Sequence, residues 1–162
     1  MLTGTDEMFK ISTMRKNLPW IAVIVWILII FSWSLQSGED SGRVSGSLTQ
    51  SVLNFLSSLG MEFSYESAHH FIRKAAHFSE YAVLGALTMN AIKKAPLFAS
   101  NALSAGLFMT GVPVIDETIQ RFVPERAGMG SDVLLDMCGF LFAAVIFLLI
   151  SHRGQWARKS PR

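Results

Sequence analysis

From Asn17 to Gly38 the chain carries no charged residue, and from Ala95 to Ile115 it again carries none. A segment crossing the hydrocarbon of a bilayer must satisfy every backbone polar group internally, which a helix of about 20 mostly apolar residues does. The two runs therefore predict spans at about 19–35 and 96–118. A further span is expected at about 75–92, between Lys74 and Lys93, although it includes His77 and Glu80. A fourth is expected at about 132–151. Its uncharged stretch, Met137 to Ser151, is too short unless the helix extends back through Asp136 to Asp132, which puts two carboxylates on its outer turns.

Composition agrees with a membrane solvent. Of the 162 residues 51% are hydrophobic and 16% charged, against roughly 25% charged in soluble domains. One domain, 1–162, is the natural count. A net charge of +2 gives no argument for nucleic acid. The first apolar run exceeds the h-region of a secretory signal and ends without a small-x-small cleavage site, so it is expected to be retained. The single cysteine, Cys138, lies within an apolar run, where a buried, inert thiol is expected.

Lysine and arginine set the orientation. Lys10, Arg15 and Lys16 precede the first span, Lys93 and Lys94 follow the second, and Arg153, Arg158, Lys159 and Arg162 follow the fourth. All fall on one side, which the positive-inside rule makes the cytoplasm, with both termini in it. The opposite side receives nearly every acidic residue; only Asp6 and Glu7 would be cytoplasmic. Between the first two spans, at about 42–59, Val44, Leu48, Val52, Phe55, Leu56 and Leu59 recur at helical spacing among serines and Thr49. That pattern predicts an amphipathic helix along the outer interface. The fold class expected is thus an all-α bundle of four transmembrane helices with one interfacial helix. Small residues four apart, Ala82 with Ala86, Ala102 with Gly106 and Gly139 with Ala143, offer surfaces for close packing.

Three polar clusters are expected at the outer level. Arg73, His77 and Glu80 stand at i, i+4 and i+7 and share one helix face. An unpaired charge at membrane depth costs about 2.5–3.5 kcal/mol or more, so this stripe should face the bundle interior or an aqueous pocket. Gly111 and Pro113 are expected to bend the third span near its outer end, beyond which come Asp116, Glu117 and Gln120. Asp116 and Gln120 share a face, with Glu117 on the adjoining one. A loop with Arg121, Pro124, Glu125, Arg126, Gly128 and Gly130 follows. The fourth span opens with Ser131 as a cap, then Asp132 and Asp136 on one face, a placement the helix dipole favours. The other two clusters oppose the dipole, because Arg73 and Lys74 would stand near a helix N-terminus and Asp116 and Glu117 near a C-terminus. Two remedies are open: pairing of the second span's basic start with the third span's acidic end, or an anionic ligand on Arg73, Lys74 and Arg126.

These runs resemble the VanZ-like family of bacterial membrane proteins. The resemblance rests on Ser34-Leu35-Gln36-Ser37-Gly38, on Arg73-Lys74-Ala75-Ala76-His77-Phe78-Ser79-Glu80-Tyr81 with Leu84-Gly85, on Asp116-Glu117-Thr118-Ile119-Gln120-Arg121-Phe122-Val123-Pro124-Glu125-Arg126, and on Asp132, Asp136 and Gly139. The chain departs from the pattern at Glu125, where glycine is common, and at Ala127 after Arg126. The resemblance implies a multi-pass protein of the bacterial inner membrane and cell envelope, associated with low-level resistance to the glycopeptide antibiotic teicoplanin. It names a phenotype and no reaction.

Two functions of different class follow. In the first, a largely non-enzymatic protein binds an anionic lipid or lipid-linked cell-wall precursor, or a glycopeptide, at the outer leaflet. Arg73, Lys74 and Arg126 meet the phosphate, Glu80, Asp116, Glu117 and Asp132 hold those cations, and His77 and Gln120 line the site. This reading needs no cofactor and predicts no metal site. In the second, an intramembrane metal-assisted hydrolase or transferase acts on a lipid phosphate or antibiotic. Its candidates are His77, Glu80, Asp116, Glu117, Asp132 and Asp136, ligand types suited to magnesium, manganese or zinc. Against it, no second histidine pairs with His77, and Ser79 has no evident base. A proton-coupled transporter is disfavoured by four spans without an inverted repeat.

Overall fold

A computed structural model of the protein describes the backbone of residues 4–126 and 128–159, and the side chains of 17–126 and 128–153. The side chains of Lys10, Arg15, Lys16, Arg158, Lys159 and Arg162, and those of Asp6 and Glu7, lie outside that range, as does Ala127. The described residues form five helices and no strand: α1 (Gly4–Ser34), α2 (Gly38–Ser58), α3 (Tyr65–Lys94), α4 (Asn101–Gln120) and α5 (Gly130–Lys159). Three stretches are long and apolar enough to cross a membrane: Asn17–Ser34 in α1, the whole of α4, and Gly130–Arg153 in α5. The α3 helix does not reach that measure.

Helix starts differ from the hydropathy boundaries because capping and not apolarity sets them. The α3 helix begins at Tyr65, some nine residues ahead of the apolar pattern, where Ser64 accepts from the Ser67 backbone N–H at 3.3 Å. Arg73 and Lys74 therefore lie two turns inside the helix, beyond the reach of its N-terminal dipole. The conflict expected there is absent. Similarly, Ala95–Ser100 connects α3 to α4 instead of opening a span, and Ser100 caps α4. Ser131 lies inside α5 rather than capping it. The α4 helix runs through Pro113, which is buried. The amphipathic segment is helical from Gly38, capped by Ser37.

The α3 helix is the axis of the bundle. It packs on α1, α2, α4 and α5, most extensively on α5, and buries Tyr81, Leu84, Gly85, Thr88, Ala91 and Ile92. At two points the α3 and α5 backbones meet. A Cβ at Gly85 would strike the Phe140 carbonyl, and one at Gly139 would strike the Phe78 carbonyl. Gly139 thus makes a close contact, against Phe78, and Gly85 makes a second one against Phe140. Ala102 and Gly106 make none, since Ala102 is exposed and nothing lies within 4 Å of a Cβ built on Gly106.

Indole donors fasten α1 to α3: Trp20 Nε1 donates to the Ala95 carbonyl at 2.7 Å and Trp26 Nε1 to the Glu80 carbonyl at 2.9 Å. The order of these pairs makes α1 and α3 antiparallel. Phe108 against Trp20 and Asp116 against Ser34 make α1 and α4 parallel, as the pairs Lys74 with Asp132 and Lys93 with Ser151 do for α3 and α5. The C-terminal ends of α3 and α5 accordingly share a level with the start of the α1 apolar run. Polar side chains turn inward, among them Ser34, Thr88, Ser104, Asp116, Glu117, Gln120 and Asp136, while large apolar ones such as Leu28, Leu107, Leu134 and Leu149 stay exposed. Cys138, expected to be buried, is exposed on this outer surface.

Candidate functional site

The site is built where the end of α1, the first half of α3, the end of α4 and the start of α5 meet. Ser34, the last residue of α1, donates to Asp116 Oδ1. Gln120, one turn beyond Asp116 on the same face of α4, donates to Asp116 Oδ2 at 3.2 Å and reaches Ser34 at 3.4 Å. Both oxygens of a fully buried carboxylate are thus held. Glu117, on the adjoining face as its spacing requires, accepts the Met129 backbone N–H on Oε2 at 2.8 Å. Gly128 allows this, because a Cβ there would strike the Glu117 carbonyl and the Arg121 side chain.

His77 of α3 faces Asp136 of α5, with Nδ1 3.4 Å from Oδ1 but without hydrogen-bond geometry. One turn earlier on each helix, Lys74 pairs with Asp132. The basic start of the second expected span thus joins the acidic start of the fourth, and not the acidic end of the third. Parallel packing of α3 on α5 decides this, since it aligns Lys74 and His77, three apart on α3, with Asp132 and Asp136, four apart on α5. Of the expectation that Glu80, Asp116, Glu117 and Asp132 hold Arg73, Lys74 and Arg126, one pair is present among the described residues. Asp132 holds Lys74, and no salt bridge within 4.0 Å joins Arg73 or Arg126 to a carboxylate among the described residues.

Arg73 and Arg126 instead line two cavities. One, of about 380 Å³, is lined by the polar Arg73, His77, Glu80 and Arg126 together with the apolar Trp33, Val44, Leu48 and Ile72. The Arg73, His77 and Glu80 stripe thus points into a pocket, as its spacing predicts. The other, of about 440 Å³, adds Lys74, His69, His70, Met129 and Asp132 to Arg73, His77 and Arg126. Burial pulls the pKa of Arg126 down, and the neighbouring charge of Arg73 pulls it the same way. Its Nε finds no hydrogen-bond partner among the described residues.

Of the six candidates for the metal-assisted reading, His77, Asp116, Glu117 and Asp136 come together, with one ligand atom of each within 4.8 Å of the others. Glu80 and Asp132 lie outside that cluster. Two contributors had no role assigned from sequence. Ser34 orients Asp116, and Tyr81, fully buried on α3, leaves its hydroxyl unpartnered among the described residues. Ser34 had a signal, being a hydroxyl at the end of an apolar run, but only the α1 to α4 packing shows what it meets.

Comparison with curated proteins and with solved structures gave no match. The family described as VanZ/LLP1 matches over residues 19–151, from the first turns of the α1 apolar run to the end of the α5 one, and so takes in every residue of the site. On that match, this chain belongs to the VanZ/LLP1 family.

Proposed function

We propose that this protein spans the bacterial inner membrane four times and holds the anionic headgroup of a lipid, or of a lipid-linked cell-wall precursor, in an extracytoplasmic chamber. One observation carries the reading: Arg73 and Arg126 line the same cavities close enough for the charge of one to act on the other, and neither is ion-paired to a carboxylate among the described residues. Two like charges held together at the end of an apolar bundle call for an anion, and paired guanidinium groups suit phosphate oxygens. Trp33, Val44, Leu48 and Ile72 in the same lining give acyl chains an apolar surface beside the headgroup.

Support for α3 as the fourth span comes from its place. Its 30 residues extend about 45 Å, and the apolar helices α1, α4 and α5 pack around it. A helix so enclosed needs less apolarity of its own. Support for α2 as interfacial comes from Val44, Leu48, Phe55 and Leu59, exposed on one side, while Thr49 is buried and Ser45 meets His69 at 2.8 Å on the other. The charges Lys93, Lys94 and Arg153 at the far end of the bundle favour a cytoplasmic location for that end. A part in teicoplanin tolerance is what family membership suggests, through competition for or shielding of lipid-linked precursor.

Native mass spectrometry of the full chain released from membranes tests the proposal. Wild type should retain anionic phospholipid, and Arg73→Ala and Arg126→Ala should each lose most of it. Equal retention in both variants removes the basis for the reading.

A further inference from the structure

Behind His77, which lines both cavities, lies a second kind of site. His77 from α3, Asp116 and Glu117 from α4, and Asp136 from α5 each bring one ligand-type atom within 4.8 Å of the others. The three carboxylate residues are 1%, 3% and 0% exposed, in that order. No lysine or arginine forms a salt bridge with any of them among the described residues. Negative charge packed this closely away from water must be neutralised by protons or by a cation.

The hydrogen bonds separate the two. Both oxygens of Asp136, Oε1 of Glu117 and Nδ1 of His77 are buried without a hydrogen-bond partner among the described residues. A proton-sharing network would hold its members by short mutual hydrogen bonds. Instead the hydrogen bonds come from residues outside the cluster: Ser34 and Gln120 donate to Asp116, and the Met129 N–H donates to Oε2 of Glu117, leaving Oε1 buried without a partner among the described residues. Outer partners that fix ligand orientation while leaving the inner lone pairs unused are the pattern of a metal site's surroundings.

We infer that His77, Asp116, Glu117 and Asp136 form a binding site for one divalent cation of the manganese or zinc class. One imidazole nitrogen with three carboxylates is a hard to borderline donor set without thiolate, which fits those ions. The set also supplies three formal negative charges, two of which the ion offsets. His77 belongs both to this cluster and to the wall of the arginine-lined cavities, so the ion lies one side chain from whatever fills them. The site does not depend on the headgroup reading, since its ligands are distinct from Arg73 and Arg126.

The test uses the full chain in detergent, stripped with chelator and then titrated with Mn²⁺ followed by spin resonance and with Zn²⁺ followed by calorimetry. One equivalent should bind saturably and raise the thermal midpoint. Glu117→Gln and Asp136→Asn should weaken binding by more than the roughly 10- to 100-fold expected of an outer partner, and Gln120→Ala should fall within that range. Asp132→Asn, outside the cluster, should bind as wild type. Helical, monodisperse wild type that binds neither ion saturably overturns the inference, as does a Glu117→Gln variant with unchanged affinity. Should Asp136→Asn fail to fold, wild type and Glu117→Gln still decide. Lipid retention scored on the same samples keeps the two proposals apart: wild type that retains lipid but binds neither ion refutes only this one.

Discussion

Glu125 adopts a left-handed backbone with φ of 61°, a region glycine occupies without penalty and other residues seldom enter. It stands where the family resemblance leads one to expect glycine, so the departure falls on the residue that bears its consequence. The side chain offsets part of the cost, since Glu125 Oε2 accepts the Glu39 backbone N–H at 3.1 Å at the start of α2, while the preceding carbonyl of Pro124 accepts Gly38 N–H at 3.1 Å. Glu125→Gly should relieve backbone strain and lose that bond, leaving stability within about 1 kcal/mol of wild type. Glu125→Val keeps the strain, adds a β-branch and loses the bond, and should cost about 1–3 kcal/mol. Thermal melts of the three proteins in one detergent give the order; a valine variant as stable as the glycine variant would place the loop in another conformation.

Among the helices, α3 and α5 set the register on which everything at the site depends. Gly85 and Gly139 let their backbones touch, and that contact aligns Lys74 with Asp132 and His77 with Asp136. Gly139→Leu should force the helices apart, costing about 1–3 kcal/mol as an overpacked contact. The same change at Gly106, which has open space around it, should stay within about 0.5 kcal/mol. A melt showing equal effects would mean that the α3 to α5 contact is not what holds the register. Sequence reading found α1, α4 and α5 because each carries an apolar run, and it grouped the site residues because i, i+4 spacing is visible along one chain. It misplaced the start of α3, since Tyr65–Lys74 is polar and only the Ser64 cap with Glu66 in the first turn marks it. One of the two remedies open from sequence pairs the basic start of the second span with the end of the third, whereas Lys74 meets Asp132 of α5 and Arg73 forms no salt bridge among the described residues; spacing within a helix carries no information about the register between helices.

Taken whole, the molecule combines an apolar core around Val23, Ile30, Leu84 and Phe140 with buried polar groups and an apolar outer surface, and its ionisable groups collect at the end of α1 and α4 opposite to Lys93, Lys94 and Arg153. Whether that end faces the outer leaflet follows from the basic residues through the positive-inside rule, and it can be measured directly. In a Cys138→Ala background, a cysteine at the exposed position of Asp40 in α2 should react with a membrane-impermeant maleimide added to intact cells. A cysteine at the exposed position of His152, at the far end of α5, should react only after permeabilisation. Native Cys138 should resist in both conditions, because it lies in the α5 apolar run on the outward surface, where acyl chains would cover it. The opposite pattern would turn the chamber to the cytoplasm, where the Arg73 and Arg126 pair would meet inner-leaflet phosphates and soluble anions, and neither a glycopeptide nor an outer-leaflet precursor could reach it.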